Sequence, residues 1–553
     1  VSELGQQPTV PSGSRRVKEF IALSDPDLHG SQQAMERGVV ASAGAIGLGT
    51  LASRMLGYAR DIVVARAFGA GPVTDAFFVA FRIPNLFRRL LAEGALSTGV
   101  VPVLSATLRT EGPASFARTA QVVAGAGLVV LCAVCVLGMA LARVIVTVMA
   151  PGWRADAALV DLAVMLTRVM FPYLLLVGLG ALAMGVLNAN HRFFTPALAP
   201  AVPNVAMIAA VLGLSGYLTP AILALAIGVL VGGLGQLLFQ LPEVRRLGVP
   251  LRPRLHWSHP AVREIGRRLW PAAFALAAVQ VTVLVNTLLA SLLPLGSVSY
   301  LYYADRVMEF PLGVFGVALA TATLPSMSAQ AAGREHAALR STLGFSLRLS
   351  AFVTVPAAVG LVALAGPIVR LLFQRGEFSE TDAVLTAQAL VGYALGLPAF
   401  SASRIAAQTF YALGDVRTPV YVGFGSVAAN VIFALALMWP LRHEGLALAS
   451  SLSSYVNLLA LCWILHRRRD LLGAPGLGAS LARTLGASAV LLVWCVVVDR
   501  WLVGARAGTV LAAVAIGVPV YAAAAAGLRA PELGVLWSML RRRAPRLPSR
   551  ESE

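Results

Sequence analysis

The chain has 553 residues, 58% of them hydrophobic and 13% charged, with a formal net charge of +18 at pH 7. A mean hydropathy of +0.77 excludes a soluble globular domain of this size and indicates a polytopic membrane protein. The charge alone would suit a nucleic-acid partner, but the basic residues gather in short segments between apolar runs, as the positive-inside rule describes.

Residues 1–36 are polar, rich in Ser, Gln and Pro, and contain no apolar stretch resembling a cleaved signal. They are predicted to form a disordered cytosolic extension. Apolar runs then fall near 39–68, 74–106, 121–150, 158–188, 196–215, 219–241, 269–294, 298–328, 346–373, 383–413, 418–440, 444–465, 480–498 and 508–528. Each is long enough for a hydrocarbon core of about 30 Å, so about fourteen transmembrane helices are expected. The segments after even-numbered spans are basic: Arg245, Arg246, Arg252, Arg254, Arg263, Arg267 and Arg268 after the sixth, and Arg467, Arg468 and Arg469 after the twelfth. The tail adds Arg541, Arg542, Arg543, Arg546 and Arg550, whereas the segment after the ninth span carries Glu377, Glu380 and Asp382. Both termini are therefore expected in the cytoplasm. Cys132, Cys135, Cys462 and Cys495 lie within spans; the CxxC spacing of the first two, without His or carboxylate neighbours, favours packing over metal or redox use. No hydrolase, kinase or dinucleotide motif stands in a suitable strand-turn-helix context.

Two short segments recur. AFFVAFR, ending at Arg82, returns as YLYYADR, ending at Arg306, and FFTP, ending at Pro196, returns as VRTP, ending at Pro419; the two offsets differ by one residue. Six spans separate each pair, so the halves run in the same direction, as a parallel repeat about an axis along the membrane normal. The expected organisation is an N-lobe over 37–241, a basic cytoplasmic linker over 242–268, a C-lobe over 269–465, spans 13 and 14 over 466–528 and a basic tail over 529–553. Pro84, Pro203, Pro311 and Pro356 interrupt spans, and such breaks are tolerated where they line cavities or neighbouring groups satisfy the backbone.

The charged residues inside these spans carry the functional signal. Arg54 and Asp61 are seven apart on one helical face with Gly57 between them, and Arg60 lies about 120° round. Asp75 and Arg82 repeat the spacing in the second span, which also holds Arg88, Arg89 and Glu93. Asp305, Arg306 and Glu309 stand in the eighth, with Tyr302 four residues before Arg306. Six such arginines facing lipid would cost roughly 15 to 20 kcal/mol, so a solvated interior is expected. Guanidinium groups match phosphate oxygens bidentately and favour an anionic cargo over a metal cation or neutral drug.

SRMLGYARD, ARAFGAGPVTDAFFVAFRIPNLFRRLLAEGALS, GVLNANHRFFTPALAP, YYADRVMEFPLGVFGVALATATLPSMS and FYALGDVRTPV resemble, in order, the signature segments of the MurJ/MviN lipid II flippases of the MOP exporter superfamily. The resemblance runs from about Ala41 to Leu465. It implies two six-helix lobes, a two-helix extension whose groove receives a polyprenyl tail, and translocation of undecaprenyl-diphosphate-linked peptidoglycan precursor from the inner to the outer leaflet of the bacterial cytoplasmic membrane. It also implies that Ser53, Arg54, Arg60, Asp61, Arg88 and Arg306 bind substrate, with gating or pairing roles for Asp75, Glu93, Asp305 and Glu309. Some members of the family resemble sodium-binding transporters; here Asn286, Asn430 and Ala434 stand at the corresponding positions, without carboxylates, so no sodium site is expected. No cofactor is expected, and coupling to membrane potential would suffice for a charged cargo. Arg404, deep in the tenth span, is a candidate fixed charge. The expected partners are lipid II, anionic lipids and other cell-wall proteins. Alternative readings are a flippase for another polyprenyl-diphosphate glycan, such as an O-antigen or capsule unit, and a membrane-bound glycosyltransferase. The latter should show a catalytic carboxylate in a long outer loop.

Overall fold

The computed structural model describes residue 49 and residues 51–89, 99–313, 317–472, 476–502 and 507–541. The N-terminal extension, Glu93 and most of the basic tail lie outside the described residues. Helix α1 covers 51–68. It is followed by α2 (Pro72–Arg89), α3 (Val101–Glu111), α4 (Pro113–Ala140), α5 (Ala142–Met149), α6 (Ala157–Met170), α7 (Tyr173–Ala189), α8 (Phe194–Leu198), α9 (Ala201–Leu214) and α10 (Leu223–Arg246). The second half holds α11 (Pro260–Ser291), α12 (Ser297–Pro311), α13 (Val317–Ala332), α14 (His336–Ala363), α15 (Ala365–Phe373), α16 (Glu380–Ala394), α17 (Leu397–Ala412) and α18 (Arg417–Arg469). The chain closes with α19 (Leu477–Leu502), α20 (Ala507–Gly527) and α21 (Pro531–Arg541). The fold is an all-α polytopic membrane architecture.

Nine helices among the described residues are long and apolar enough to cross a membrane. Several other expected spans are broken by proline, glycine or charge, which shortens their apolar stretches. Helix α18 has the opposite character. Its 53 residues would reach about 80 Å at 1.5 Å per residue, far beyond one hydrocarbon core. Arg442 (φ 49, ψ −131) breaks it two residues after Pro440, and Gly445 lets the returning chain pack against the Leu437 carbonyl, where a Cβ would not fit. The result is a hairpin of two spans. Apolar side chains such as Val136, Leu212, Ile432, Val493 and Val518 point outward and are exposed, as a lipid-facing surface requires.

The core is divided unevenly along the membrane normal. At the end bearing the turns at 69–71 and 292–296 and the loop at 374–379, one apolar cluster includes residues of both halves: Val64, Phe77 and Trp153 with Tyr300, Tyr303, Phe373 and Phe378. At the opposite end the clusters are separate. One joins Leu104, Phe116, Leu187, Val244 and Ile265, and another joins Met327, Leu343, Phe410 and Leu465. Helices α19 and α20 pack on α14 through Phe352, Leu491, Ala513 and Tyr521. The basic segment at 242–268 is more ordered than the word linker suggests. Helix α10 continues to Arg246, and α11 begins at Pro260 with His259 as its N-cap, accepting from Ala261 N at 3.3 Å. Between them, Arg254 N donates to the Gln121 carbonyl at 3.0 Å, fixing the segment against α4.

Candidate functional site

A cavity of about 530 Å³ opens between the two halves, and Tyr173, Val177, Met207, Val229 and Leu312 of the shared apolar cluster line part of its wall. Helix α1 forms one wall with Ser53, Arg54, Gly57, Tyr58, Arg60 and Asp61. Asn85 and Arg88 from α2, Asn204 from α9, Gln236 from α10, Arg306 and Glu309 from α12 and Arg404 from α17 add further polar groups, and Gly313 lies beside them. The positions reflect helical periodicity: Arg54, Gly57 and Asp61 share one face of α1, as their spacing requires.

Asp61 is the hub of the charges. Its side chain is 4% exposed and pairs with Arg60 Nη2 at 2.7 Å and with Arg306 Nε at 3.5 Å. Arg60 also donates to Asn204 Oδ1 at 3.2 Å and to the Tyr302 hydroxyl at 3.1 Å. Arg306 pairs with Glu309 at 2.8 Å, and its guanidinium carbon lies 5.1 Å from the centroid of the Tyr302 ring. Tyr58 donates to the Arg306 carbonyl at 2.8 Å, tying α1 to α12. Arg88 donates to Asn85 Oδ1 at 3.0 Å, one turn earlier on α2. Arg54 and Arg404 are exposed to the cavity, and among the described residues neither has a hydrogen-bond or ion-pair partner.

The lining therefore holds five arginines against two carboxylates, Asp61 and Glu309. Such a surface favours a multiply charged anion, and unpaired guanidiniums retain all five donors for it. Among the described residues no group of three or more His, Cys, Asp or Glu side chains could hold a metal ion.

The remaining sequence candidates fall elsewhere. Asp75 is buried at the seam between α2 and α12, not in the cavity. It accepts from Gly296 N at 2.7 Å, Ser299 N at 2.8 Å and Ser299 Oγ at 2.6 Å. It thus caps the first turn of α12, where free N–H groups and the helix dipole favour a carboxylate. Asp305 is absent from the cavity lining and lies within electrostatic range of Arg82. Asn286 donates to Ser450 Oγ at 2.9 Å and Asn430 reaches the same oxygen at 3.5 Å, beside a buried Ala434. The groups brought together here are neutral, two amides and a hydroxyl, and both amide oxygens are buried without a hydrogen-bond partner. Sequence reading passed over Asn204 as a site residue, although a lone amide beside Pro203 in an apolar run was a visible signal. It also treated Tyr302 only as a neighbour of Arg306 and did not consider Gly313 for the cavity.

The family profile described as "Lipid II flippase MurJ" matches residues 64–545. The chain is 37% identical over 462 residues to the lipid II flippase MurJ of Burkholderia cenocepacia, covering 82% of this chain and 89% of that one. It is 35% identical over 528 residues to the probable lipid II flippase MurJ of Rhizobium meliloti, covering 92% and 96%. Its fold matches a solved structure described as "Lipid II flippase MurJ, inward closed conformation" with a TM-score of 0.74 at 24% identity, over 90% of this chain and 99% of the other. A multidrug resistance MATE family transporter of the MOP superfamily, in an inward-facing conformation, matches with a TM-score of 0.61 at 15% identity, over 76% and 95%.

Proposed function

Since the chain belongs to the MurJ family of lipid II flippases, we propose that its cavity carries the diphosphate head of lipid II across the membrane by alternating access of the two lobes. The protein is a multi-pass membrane transporter, not a catalyst, and its role lies in peptidoglycan synthesis. The observation that carries the assignment of the site is the excess of five arginines over two carboxylates in a cavity between the lobes. Arg54, Arg88 and Arg404 meet the diphosphate first, because their guanidiniums are not engaged by carboxylates. Arg60 and Arg306 exchange Asp61 and Glu309 for phosphate oxygens as the lobes move, and Ser53 and Asn204 supply neutral polar contacts to the head. Spans 13 and 14 receive the lipid tail.

In this reading the protein sits in the cytoplasmic membrane of a bacterium with both termini and the basic linker on the cytoplasmic side, which the positive-inside bias of the sequence supports. Arg252, Arg254 and Trp257 are exposed there, a composition suited to anionic headgroups at a membrane interface. Glu264 offsets one of those positive charges. A hydrogen bond from Arg268 and the nearby Arg267 hold its carboxyl below the usual range, so it stays ionised within a basic patch. No sodium site is assigned, because neutral groups around Asn286 and Asn430 lack the carboxylate that would attract the ion.

The test is leaflet transfer of purified lipid II in proteoliposomes. Wild-type protein should transfer it, and Arg306→Ala should reduce the rate by an order of magnitude or more. Full transfer by Arg306→Ala would sink the assignment of the arginines.

A further inference from the structure

Arg54 has no acceptor among the described residues, yet its guanidinium is not loose in the cavity. It packs against Gly313 of the opposite half. A Cβ built at Gly313 would overlap Arg54 Nη1 and would lie 3.0 Å from Cζ and 3.3 Å from Nη2. Gly313 stands in a π-helical turn at Leu312–Gly313, directly after Pro311 closes α12. Such widened turns recur at functional sites because they alter which backbone atoms face a neighbour. Arg306 and Gly313 are seven residues apart and share a helical face, separated by about 10 Å along the axis.

We propose that Gly313 is a positioning residue for substrate binding, its missing side chain forming the seat that holds the Arg54 guanidinium about two turns along from Arg306. An ion pair would fix Arg54 equally well but would occupy its charge. Contact with a bare Cα restricts the guanidinium sterically and leaves its five N–H donors for phosphate oxygens. The atom met by an added methyl is the far end of a flexible side chain, so Gly313→Ala displaces the charge and spares the helix. The inference rests on the reading that the cavity binds a lipid-linked diphosphate.

The experiment measures binding of purified lipid II to the full-length protein in detergent, for wild type, Gly313→Ala, Arg54→Ala and the double variant, with thermal unfolding in parallel. Gly313→Ala should bind on the order of tenfold more weakly with an unchanged melting temperature, and should cause no further loss once Arg54 is alanine. Normal binding by Gly313→Ala, or an equal loss in both backgrounds, overturns the proposal. If Arg54→Ala itself binds lipid II normally, the substrate role of Arg54 fails and the binding role of Gly313 falls with it. The seat is then judged alone by the structure of Gly313→Ala: a displaced guanidinium over an undisturbed helix upholds it, and a shifted helix beneath an unmoved Arg54 refutes it.

Discussion

Asp61 determines how much of the positive charge is available to a ligand. It is buried and bonded to two arginines from different lobes, so removing its charge leaves both guanidiniums without their shared counter-ion. Breaking a buried pair in this way costs about 3 kcal/mol. Asp61→Asn is therefore expected to lower the melting temperature clearly in a detergent thermal-unfolding measurement, and an unaltered melting curve would mean that Tyr302, Asn204 and Glu309 already satisfy the arginines. Arg54 is the opposite case. With no protein partner to lose, Arg54→Ala should weaken lipid II binding while leaving the melting temperature unchanged. Spacing in the sequence identified both residues as cavity candidates, but it could not separate them, because whether an arginine is engaged depends on what a distant helix presents to it.

Helices α2 and α12, which carry the two recurring segments, pack against each other. Phe78 stacks on Tyr302 with ring centroids 3.8 Å apart, so the recurring aromatic segments meet each other directly. Asp75 then anchors the start of α12 on α2 through three hydrogen bonds, and nearby Glu377 N donates to the Arg66 carbonyl at 3.0 Å. These contacts close one end of the cavity. Asp75→Ala leaves the buried Gly296 and Ser299 amides without an acceptor, at a cost of about 1–2 kcal/mol, and should loosen that end. Disulfide cross-linking between cysteines introduced at Arg66 and Glu377, in a background lacking the native cysteines, should fall in Asp75→Ala; undiminished cross-linking would remove Asp75 from the gate. The break in α18 falls between the apolar runs expected at 418–440 and 444–465, whereas the continuity of α11 from Pro260 was not expected. Its basic first turns read as a loop by composition, yet Pro260 and His259 supply an N-terminus that composition alone does not weigh.

Across the whole molecule, the apolar core joins the lobes at one end and splits into separate clusters at the other. A transporter built this way opens toward the end where the clusters are separate. With that end cytoplasmic, a multiply charged anionic head moves outward down a potential positive outside, gaining about 2.3 kcal/mol per charge per 100 mV. Lipid II transfer in proteoliposomes should therefore accelerate when a potential of that sign is imposed with a potassium gradient and valinomycin, and should not respond to replacing sodium with choline. A sodium requirement would contradict the neutral character of the Asn286–Asn430 cluster. The sequence by itself determined the membrane class, the basic and acidic sides of the loops and the arginines placed where lipid would penalise them, because hydropathy and charge are properties of local composition. Only the tertiary structure decided which arginines are free, that Asp75 caps a helix from the other half, and that Gly313 meets Arg54, because each depends on atoms brought together from helices more than two hundred residues apart.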